Sequence, residues 1–278
     1  MTLGFRMLDT AMRRSCLPVT LVMLGMVLST GCALRGDDTG SLTDTSVGES
    51  ADSDDTAGDT APTSRSEENG TLETTNEIGR TGGYYLPAGE VSDPLPLLVL
   101  FHGTGGDGAS MASLFESLAS ELGVAIVAPD SRQSPDGQYT WEVGTEPDEI
   151  TPDLTHALAC VDELIARNDW TLDTDHVMAA GFSGGASSAP YLATNDDLFT
   201  AFAVLHGGVY AGGLGDNIVP GWFSTGKDDD ARPPEAVQEA YESVEALGFE
   251  DLVFTLYAGG HELSDQEKAD VLDWWLAL

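Results

Sequence analysis

The sequence predicts an α/β domain over residues 77–278, with a mostly parallel central sheet and helices on both of its faces. Short apolar runs alternate with longer stretches of helical periodicity, which is typical of βαβ units. Several of the runs are hydrophobic throughout, as expected for strands buried on both faces of a parallel sheet. A segment of roughly 200 residues is long enough to form one sizeable core.

Strands are predicted where apolar residues run together between turn signals. The first run, GGYYLP at 82–87, is short and favours an antiparallel edge strand. A longer irregular loop, 131–152, contains Trp141. The buried strands are predicted at 95–103, 124–130, 176–182, 199–208, 219–227 and 251–260.

Helices are predicted where apolar residues recur at intervals of three and four. The insertions between elements are short, so no large lid domain is expected. The predicted helices cover residues 110–122, 153–168, 184–194, 234–247 and 264–278.

The N-terminal part differs from the rest of the chain. Arg13 and Arg14 precede an apolar stretch of about 15 residues that ends in STGC, a pattern typical of export signals. The small residues before Cys32 resemble a bacterial lipobox, in which the cysteine is lipidated. We therefore expect a lipoprotein-type signal peptide at 1–31, the alternative being an ordinary secretory signal cleaved nearby.

An acidic segment at 32–76, rich in Asp, Thr, Ser and Gly, is expected to be a disordered linker. With lipidation the protein is anchored to a membrane, at the cell surface or outer membrane or in the periplasm. Without it the protein is secreted.

The formal net charge is −36, with 47 acidic residues against 11 Lys and Arg. This charge argues against nucleic acid and anionic lipid surfaces as partners. Paired His or Cys spacings typical of metal sites do not appear in the sequence, and neither does a glycine-rich phosphate loop with its lysine, so neither a metal nor a cofactor is expected. The oligomeric state stays open.

The candidate chemistry lies after the predicted strands, because ligand sites in parallel sheets lie beyond the carboxyl ends of the strands. Residues 181–185 read G-F-S-G-G, which matches G-x-S-x-G, follows a predicted strand and opens a helix. This context is typical of a nucleophilic serine on a tight turn, the alternative being a plain turn. Acyl transfer by a serine also needs a base, an acid and amide donors. Candidates for the acid and the base follow Ser183 in the order Asp, His.

Four motifs carry a resemblance to the α/β-hydrolase superfamily over about residues 80–278, and within it to the esterases related to polyhydroxybutyrate depolymerases and feruloyl esterases. The fold implied is the α/β-hydrolase fold. The motifs are LLVLFHGTGGDG, DHVMAAGFSGGA, STGKDDDARPPEAV and AGGHE.

The resemblance implies roles for individual residues. Ser183 is the nucleophile, His261 is the base, and the backbone N–H groups of Gly184 and Thr104 form the oxyanion hole. The acid is one of Asp228, Asp229 and Asp230. The family spacing from Gly226 and Pro233 selects Asp229, with Asp228 as the alternative.

Two further residues are candidates for substrate binding. Trp141, on the long loop, is expected to form a wall of the substrate pocket. His206 ends a strand and is expected to line the site, and it is also the alternative to His261 as base. The function expected is hydrolysis of carboxylic esters through an acyl-enzyme. The alternatives are a peptidase or thioesterase on the same fold, or a non-catalytic acidic surface lipoprotein.

Overall fold

The strands and helices below come from a computed structural model, which describes residues 63–73, 80–133 and 139–278. In chain order the strands are β1 (Ser64–Arg65), β2 (Glu68–Thr71), β3 (Gly82–Leu86), β4 (Gly89–Glu90), β5 (Pro94–Phe101), β6 (Ala125–Pro129), β7 (Arg132–Gln133), β8 (Tyr139–Thr140), β9 (Thr171–Phe182), β10 (Ala201–Leu205), β11 (Gly221–Gly226) and β12 (Leu252–Tyr257). The helices are α1 (Gly108–Ser113), α2 (Glu116–Leu122), α3 (Pro152–Ile165), α4 (Ser188–Asn195), α5 (Pro234–Glu245) and α6 (Asp265–Trp275).

Eight strands form the central sheet in the order β12-β11-β10-β9-β5-β6-β3-β2. The six strands from β12 to β6 run parallel, whereas β3 and β2 pair antiparallel. The predicted mostly parallel sheet is therefore confirmed. Two short antiparallel pairs, β1 with β4 and β7 with β8, lie outside this sheet.

Helices cover both faces of the sheet, as predicted. Along β5, Leu97, Val99 and Phe101 contribute to one core, which also contains buried residues of α3, α4 and α5. Leu98 and Leu100 contribute to the opposite core, with buried residues of α1, α2 and α6. This alternation follows from the two-residue period of a strand.

The predicted helix 110–122 is two helices, because the chain breaks between α1 and α2. Leu114 lies at this break and is half exposed. The prediction of an edge strand at 82–87 is wrong in one respect: β3 is antiparallel, but β2 pairs with its outer side. All five residues of β3 are buried.

The predicted linker 32–76 is corrected for residues 63–73, which belong to the folded unit. Strand β2 forms the sheet edge, and Leu72 is buried. The buried Arg65 guanidinium donates a 2.6 Å hydrogen bond to the Pro87 carbonyl. Hydrogen bonds of polar residues thus order this segment, and the pattern of hydrophobic residues does not predict such bonds.

The remaining N-terminal predictions concern residues that the structure does not describe. The predicted signal peptide, Cys32 and the rest of the predicted linker all lie outside the described residues. The residues from 63 onward belong to one compact unit, Gly58–Leu278. In this described part, none of the helices has both the length and the apolar character needed to cross a membrane.

Candidate active site

Ser183 lies at the carboxyl end of β9, on a sharp turn into a short 3₁₀ segment. Its φ angle is 52°, a left-handed conformation that is strained for a residue with a side chain. The flanking glycines are required by close packing. A Cβ on Gly181 would lie 2.2 Å from the Gly185 carbonyl oxygen, and one on Gly185 would lie 2.5 Å from that of His102. The turn therefore presents the serine side chain at the end of the sheet.

Three of the predicted residues form one hydrogen-bonded chain. The Ser183 Oγ lies 2.7 Å from Nε2 of His261. The other ring nitrogen, Nδ1, lies 2.8 Å from Oδ2 of Asp229. An ionised carboxylate only accepts hydrogen bonds, so Nδ1 of His261 carries the proton and Nε2 is free to accept one from the serine. His261 follows β12 and Asp229 follows β11, so both side chains come from the ends of neighbouring strands.

Burial distinguishes among the three consecutive aspartates. Asp229 is 2% exposed, whereas Asp228 and Asp230 are exposed. Its Oδ1 accepts hydrogen bonds from the backbone N–H groups of Ala231 and Arg232, at 2.9 and 2.7 Å. The structure thus brings Asp229, the residue selected by the family spacing, into the chain with His261 and Ser183.

The second carboxylate oxygen of Asp229, Oδ2, also accepts several hydrogen bonds. Oδ2 accepts from His261 Nδ1 and His206 Nδ1, both at 2.8 Å, and from Thr225 Oγ1 at 3.3 Å. Burial by itself would raise the pKa of the Asp229 carboxyl. The Arg232 backbone N–H and the two imidazoles outweigh burial and hold this pKa well below its usual range. The carboxylate is therefore ionised at neutral pH.

The loop after β5 lies against the serine turn. Gly106 N–H donates to the Gly103 carbonyl at 3.0 Å, and Gly105 has a φ of 82°, which its lack of a Cβ permits. Thr104 lies within this turn. A Cβ on Gly184 would lie 3.0 Å from Thr104 N, so the two predicted amide donors are neighbours. Amides at the start of a helical turn have no acceptor within it, which leaves them available to an anion.

His102 and Trp141 support this loop from beneath. Ser131 N–H donates to His102 Nε2 at 3.0 Å, so the His102 ring is neutral and its Nδ1 donates to the Gly103 carbonyl at 2.8 Å. Burial lowers the pKa of His102, which is consistent with this state. The Trp141 indole N–H donates to the His102 carbonyl at 2.8 Å, and its ring packs edge-on against Phe101. Trp141 is 9% exposed and supports the loop through these contacts, and its role as a wall of the substrate pocket stays a prediction.

The prediction that His206 contacts substrate is wrong, because its side chain is 1% exposed. Its Nδ1 lies 2.8 Å from Asp229 Oδ2 and its Nε2 lies 3.2 Å from Glu267 Oε2. It therefore contacts the carboxylate from the protein interior. The alternative of His206 as the base is also wrong, since His261 is the histidine that contacts Ser183.

Glu267 is a site residue that sequence reasoning missed. It lies in the first turn of α6, where Ser264 Oγ accepts a hydrogen bond from its backbone N–H. The pattern S-D-Q-E resembles a capping box, in which the glutamate turns back to the helix start. Here the side chain instead points inward, accepting from Ser224 Oγ at 2.6 Å and contacting His206.

One donor atom from each of His206, Asp229 and His261 lies within 4.8 Å of the others. This closeness follows from hydrogen bonding, because both Nδ1 atoms lie 2.8 Å from Asp229 Oδ2. A metal ion here would take ring nitrogens that are hydrogen-bonded to the carboxylate. It would therefore compete with the serine–histidine–aspartate arrangement.

Comparisons with solved structures place the fold. Esterase PE8 is 21% identical, with a TM-score of 0.54, over 71% of this chain and 98% of that one. Acyl-protein thioesterase 2 of Zea mays is 21% identical, with a TM-score of 0.51, over 70% of this chain and 96% of that one. An acylaminoacyl peptidase of Pyrococcus horikoshii is 16% identical, with a TM-score of 0.56, over 78% of this chain and 42% of that one. At these identities the likeness shows the α/β-hydrolase fold.

A family model gives a narrower assignment. No curated protein matches the chain. The model described as "Esterase PHB depolymerase" matches residues 81–220, half of the chain. The matched region includes Thr104 and Ser183 and ends before Asp229 and His261. With this match over half of the chain, including β5, the loop that follows it and the turn at Ser183, the chain belongs to the esterase PHB depolymerase family.

Proposed function

We propose that this protein is an exported serine hydrolase that cleaves carboxylic esters through an acyl-enzyme. The observation that supports it best is the hydrogen-bonded chain from Ser183 through His261 to Asp229. Membership of an esterase family supports ester substrates in particular.

The geometry supports the following steps. Ser183 Oγ attacks the ester carbonyl carbon while its proton passes to His261 Nε2, and Asp229 stabilises the resulting imidazolium. The N–H groups of Gly184 and Thr104 donate to the carbonyl oxygen as it becomes negative. The intermediate collapses when the C–O bond to the alcohol breaks and His261 returns its proton to that oxygen. Water then attacks the acyl-enzyme by the same proton transfers, releasing the acid and restoring the serine hydroxyl.

Large substrates can reach the site because its base, His261, is partly exposed to solvent. The His261 side chain is 26% exposed, and Ser183 is partly exposed at the same edge of the sheet. We infer that the enzyme acts on esters that it can approach from solvent, including bulky or polymeric ones. A lid is not needed to explain how such substrates enter.

The test compares the full chain with its Ser183→Ala variant on p-nitrophenyl esters from acetate to palmitate, and on a thioester and a peptide. Ser187→Ala is the matched control, because its side chain does not cap α4. We expect ester hydrolysis and fluorophosphonate labelling in the wild type and control, and neither in Ser183→Ala. Faster cleavage of the thioester or peptide would move the proposal to that class. An unlabelled, inactive wild type would refute the serine mechanism.

Export and anchoring are supported by the apolar stretch and the cysteine that ends it. If Cys32 carries the lipid, Cys32→Ala expressed in a bacterial host shifts the protein from the membrane fraction to the soluble one. A soluble wild type outside the cytoplasm would indicate secretion instead.

A further inference from the structure

A buried polar network extends behind the aspartate of the candidate site. It consists of His206, Glu267 and Ser224, each at most 1% exposed. The three residues come from the end of β10, the first turn of α6 and from β11. Buried ionisable groups are costly unless they are paired and hydrogen-bonded, so their protonation states must match one another.

The contacts restrict where the protons lie. Asp229 is ionised, so His206 Nδ1 carries a proton that it donates to Oδ2. One more proton is shared between His206 Nε2 and Glu267 Oε2, 3.2 Å apart. Either His206 is an imidazolium between two carboxylates, or it is neutral and Glu267 is protonated.

The contacts and position of Glu267 favour the imidazolium. Glu267 accepts from Ser224 Oγ at 2.6 Å and lies in the first turn of α6, where the helix dipole stabilises a negative charge. Burial by itself would lower the pKa of His206. The hydrogen bonds to Glu267 and Asp229 outweigh burial and raise this pKa above its ordinary value.

We propose that His206, held as an imidazolium by Glu267, is a positioning residue that fixes the Asp229 carboxylate and keeps His261 in its unprotonated, basic form. This proposal rests on the proposed function of the site. His206 and His261 donate to the same carboxylate oxygen, and their ring centroids are 5.6 Å apart. A positive charge at that distance opposes protonation of His261, so the base stays available at lower pH.

Among the described residues, Asp229 and Glu267 are the charged groups within hydrogen-bond distance of His206. Asp229 faces it from the loop after β11, Glu267 from α6, and His261 from the loop after β12. Strand β9 contributes the uncharged ring of Phe182.

Glu267→Gln tests the charge while preserving the hydrogen bonds. The glutamine carbonyl can accept from Ser224, and its amide can donate to His206 Nε2, which leaves His206 neutral with its Nδ1 proton still on Asp229. His206→Asn is the second variant. Asparagine tolerates the φ of 53° at this position, and its side-chain amide can place a donor near the position that Nδ1 of His206 occupies in the wild type. His176→Asn is the matched control, a histidine paired with Asp173 and six residues before the end of β9.

The experiment measures ¹⁵N NMR of the histidine side chains in the full chain, together with the pH profile of kcat/KM. The chain has five histidines, so single variants assign each signal. We expect both ring nitrogens of His206 to be protonated at neutral pH, where an unperturbed imidazole is mostly neutral. We expect Glu267→Gln and His206→Asn to move the acid limb of kcat/KM to higher pH by about 0.5–1 pH unit, because the neighbouring positive charge is lost. His176→Asn should leave the acid limb unchanged.

An unprotonated ring nitrogen on His206 in the wild type would overturn the proposal. So would a folded variant that loses activity without moving the acid limb of kcat/KM, since that is the result of a purely structural role. The NMR arm does not depend on turnover. A wild type without ester activity would therefore refute the proposed function, whereas the charge on His206 would still be measured.

Discussion

Replacing Asp229 by asparagine is the sharpest test of the candidate site, because the structure dictates how the new amide must orient. The Oδ1 side faces the backbone N–H groups of Ala231 and Arg232, which are fixed by the turn. A backbone N–H cannot give up its proton, whereas His261 and His206 on the Oδ2 side can each lose the proton on Nδ1, so the amide oxygen takes the Oδ1 side and the NH₂ group faces the two imidazoles. His261 can then only accept at Nδ1, which moves its proton to Nε2, opposite Ser183. The ring is held in a tautomer that cannot take the serine proton.

We expect kcat to fall by about four orders of magnitude, about 5 kcal/mol in the barrier, with KM little changed. The assay is p-nitrophenyl ester hydrolysis by the full chain. The matched controls are Asp228→Asn and Asp230→Asn, whose exposed side chains should leave kcat within about twofold. If Asp229→Asn keeps a tenth of the activity while Asp228→Asn loses it, the assignment of the acid is refuted.

The same variant has a consequence for stability that depends on pH. The pKa of Asp229 is lower in the folded than in the unfolded protein, so its ionisation stabilises the fold above the unfolded value of about 3.9. This contribution is lost as the pH falls from there through the folded pKa. We expect the difference in free energy of unfolding between wild type and Asp229→Asn to be larger at neutral pH than near about pH 3. Urea unfolding at both pH values measures it, and a constant difference would contradict the linkage.

Three further substitutions test the packing that supports the site, each measured by urea unfolding. Gly185→Ala places a Cβ 2.5 and 2.6 Å from two backbone oxygens and should cost about 3 kcal/mol or more, whereas Gly208→Ala, with nothing within 4 Å, should cost under about 1 kcal/mol. Trp141→Phe removes the indole N–H that donates to the His102 carbonyl and should cost about 1–3 kcal/mol, with a lower kcat. Arg80→Met breaks a buried 2.5 Å ion pair with Asp153 and should cost about 3–5 kcal/mol.

The parts of the fold that the sequence predicted are those where apolar burial determines the structure. The six parallel strands of the central sheet are predicted from their apolar runs, because this part of the sheet is covered on both faces; they are β5, β6, β9, β10, β11 and β12. The edge of the sheet was not visible in the same way. Strand β2 reads ENGT and is mostly exposed, and its place is set by pairing with β3 and by polar contacts. Such contacts do not affect the spacing of hydrophobic residues, so this spacing predicts a linker for the segment.

The candidate site shows a similar division. Ser183 and His261 were predicted because a tight turn and strand ends leave local signals in the sequence. Asp229 was selected by family spacing alone, and its burial between two exposed aspartates is a tertiary property. The prediction that His206 contacts substrate was wrong because it relied only on the position of His206 at a strand end. A residue there can point either into the cleft or behind it, and its φ of 53° is not encoded by neighbouring residue types.

Glu267 illustrates why the network behind Asp229 was hidden. Ser264 and Glu267 fit a helix-capping pattern, which by itself explains a glutamate at the third position of a helix. Capping, however, would leave the glutamate at the surface, whereas this one is 1% exposed. Its burial is costly without a cation, and His206 is the ionisable group within reach that can supply one. The burial of the Glu267 side chain therefore depends on the positive charge of His206, and that charge depends in turn on Glu267. The two residues must be explained together.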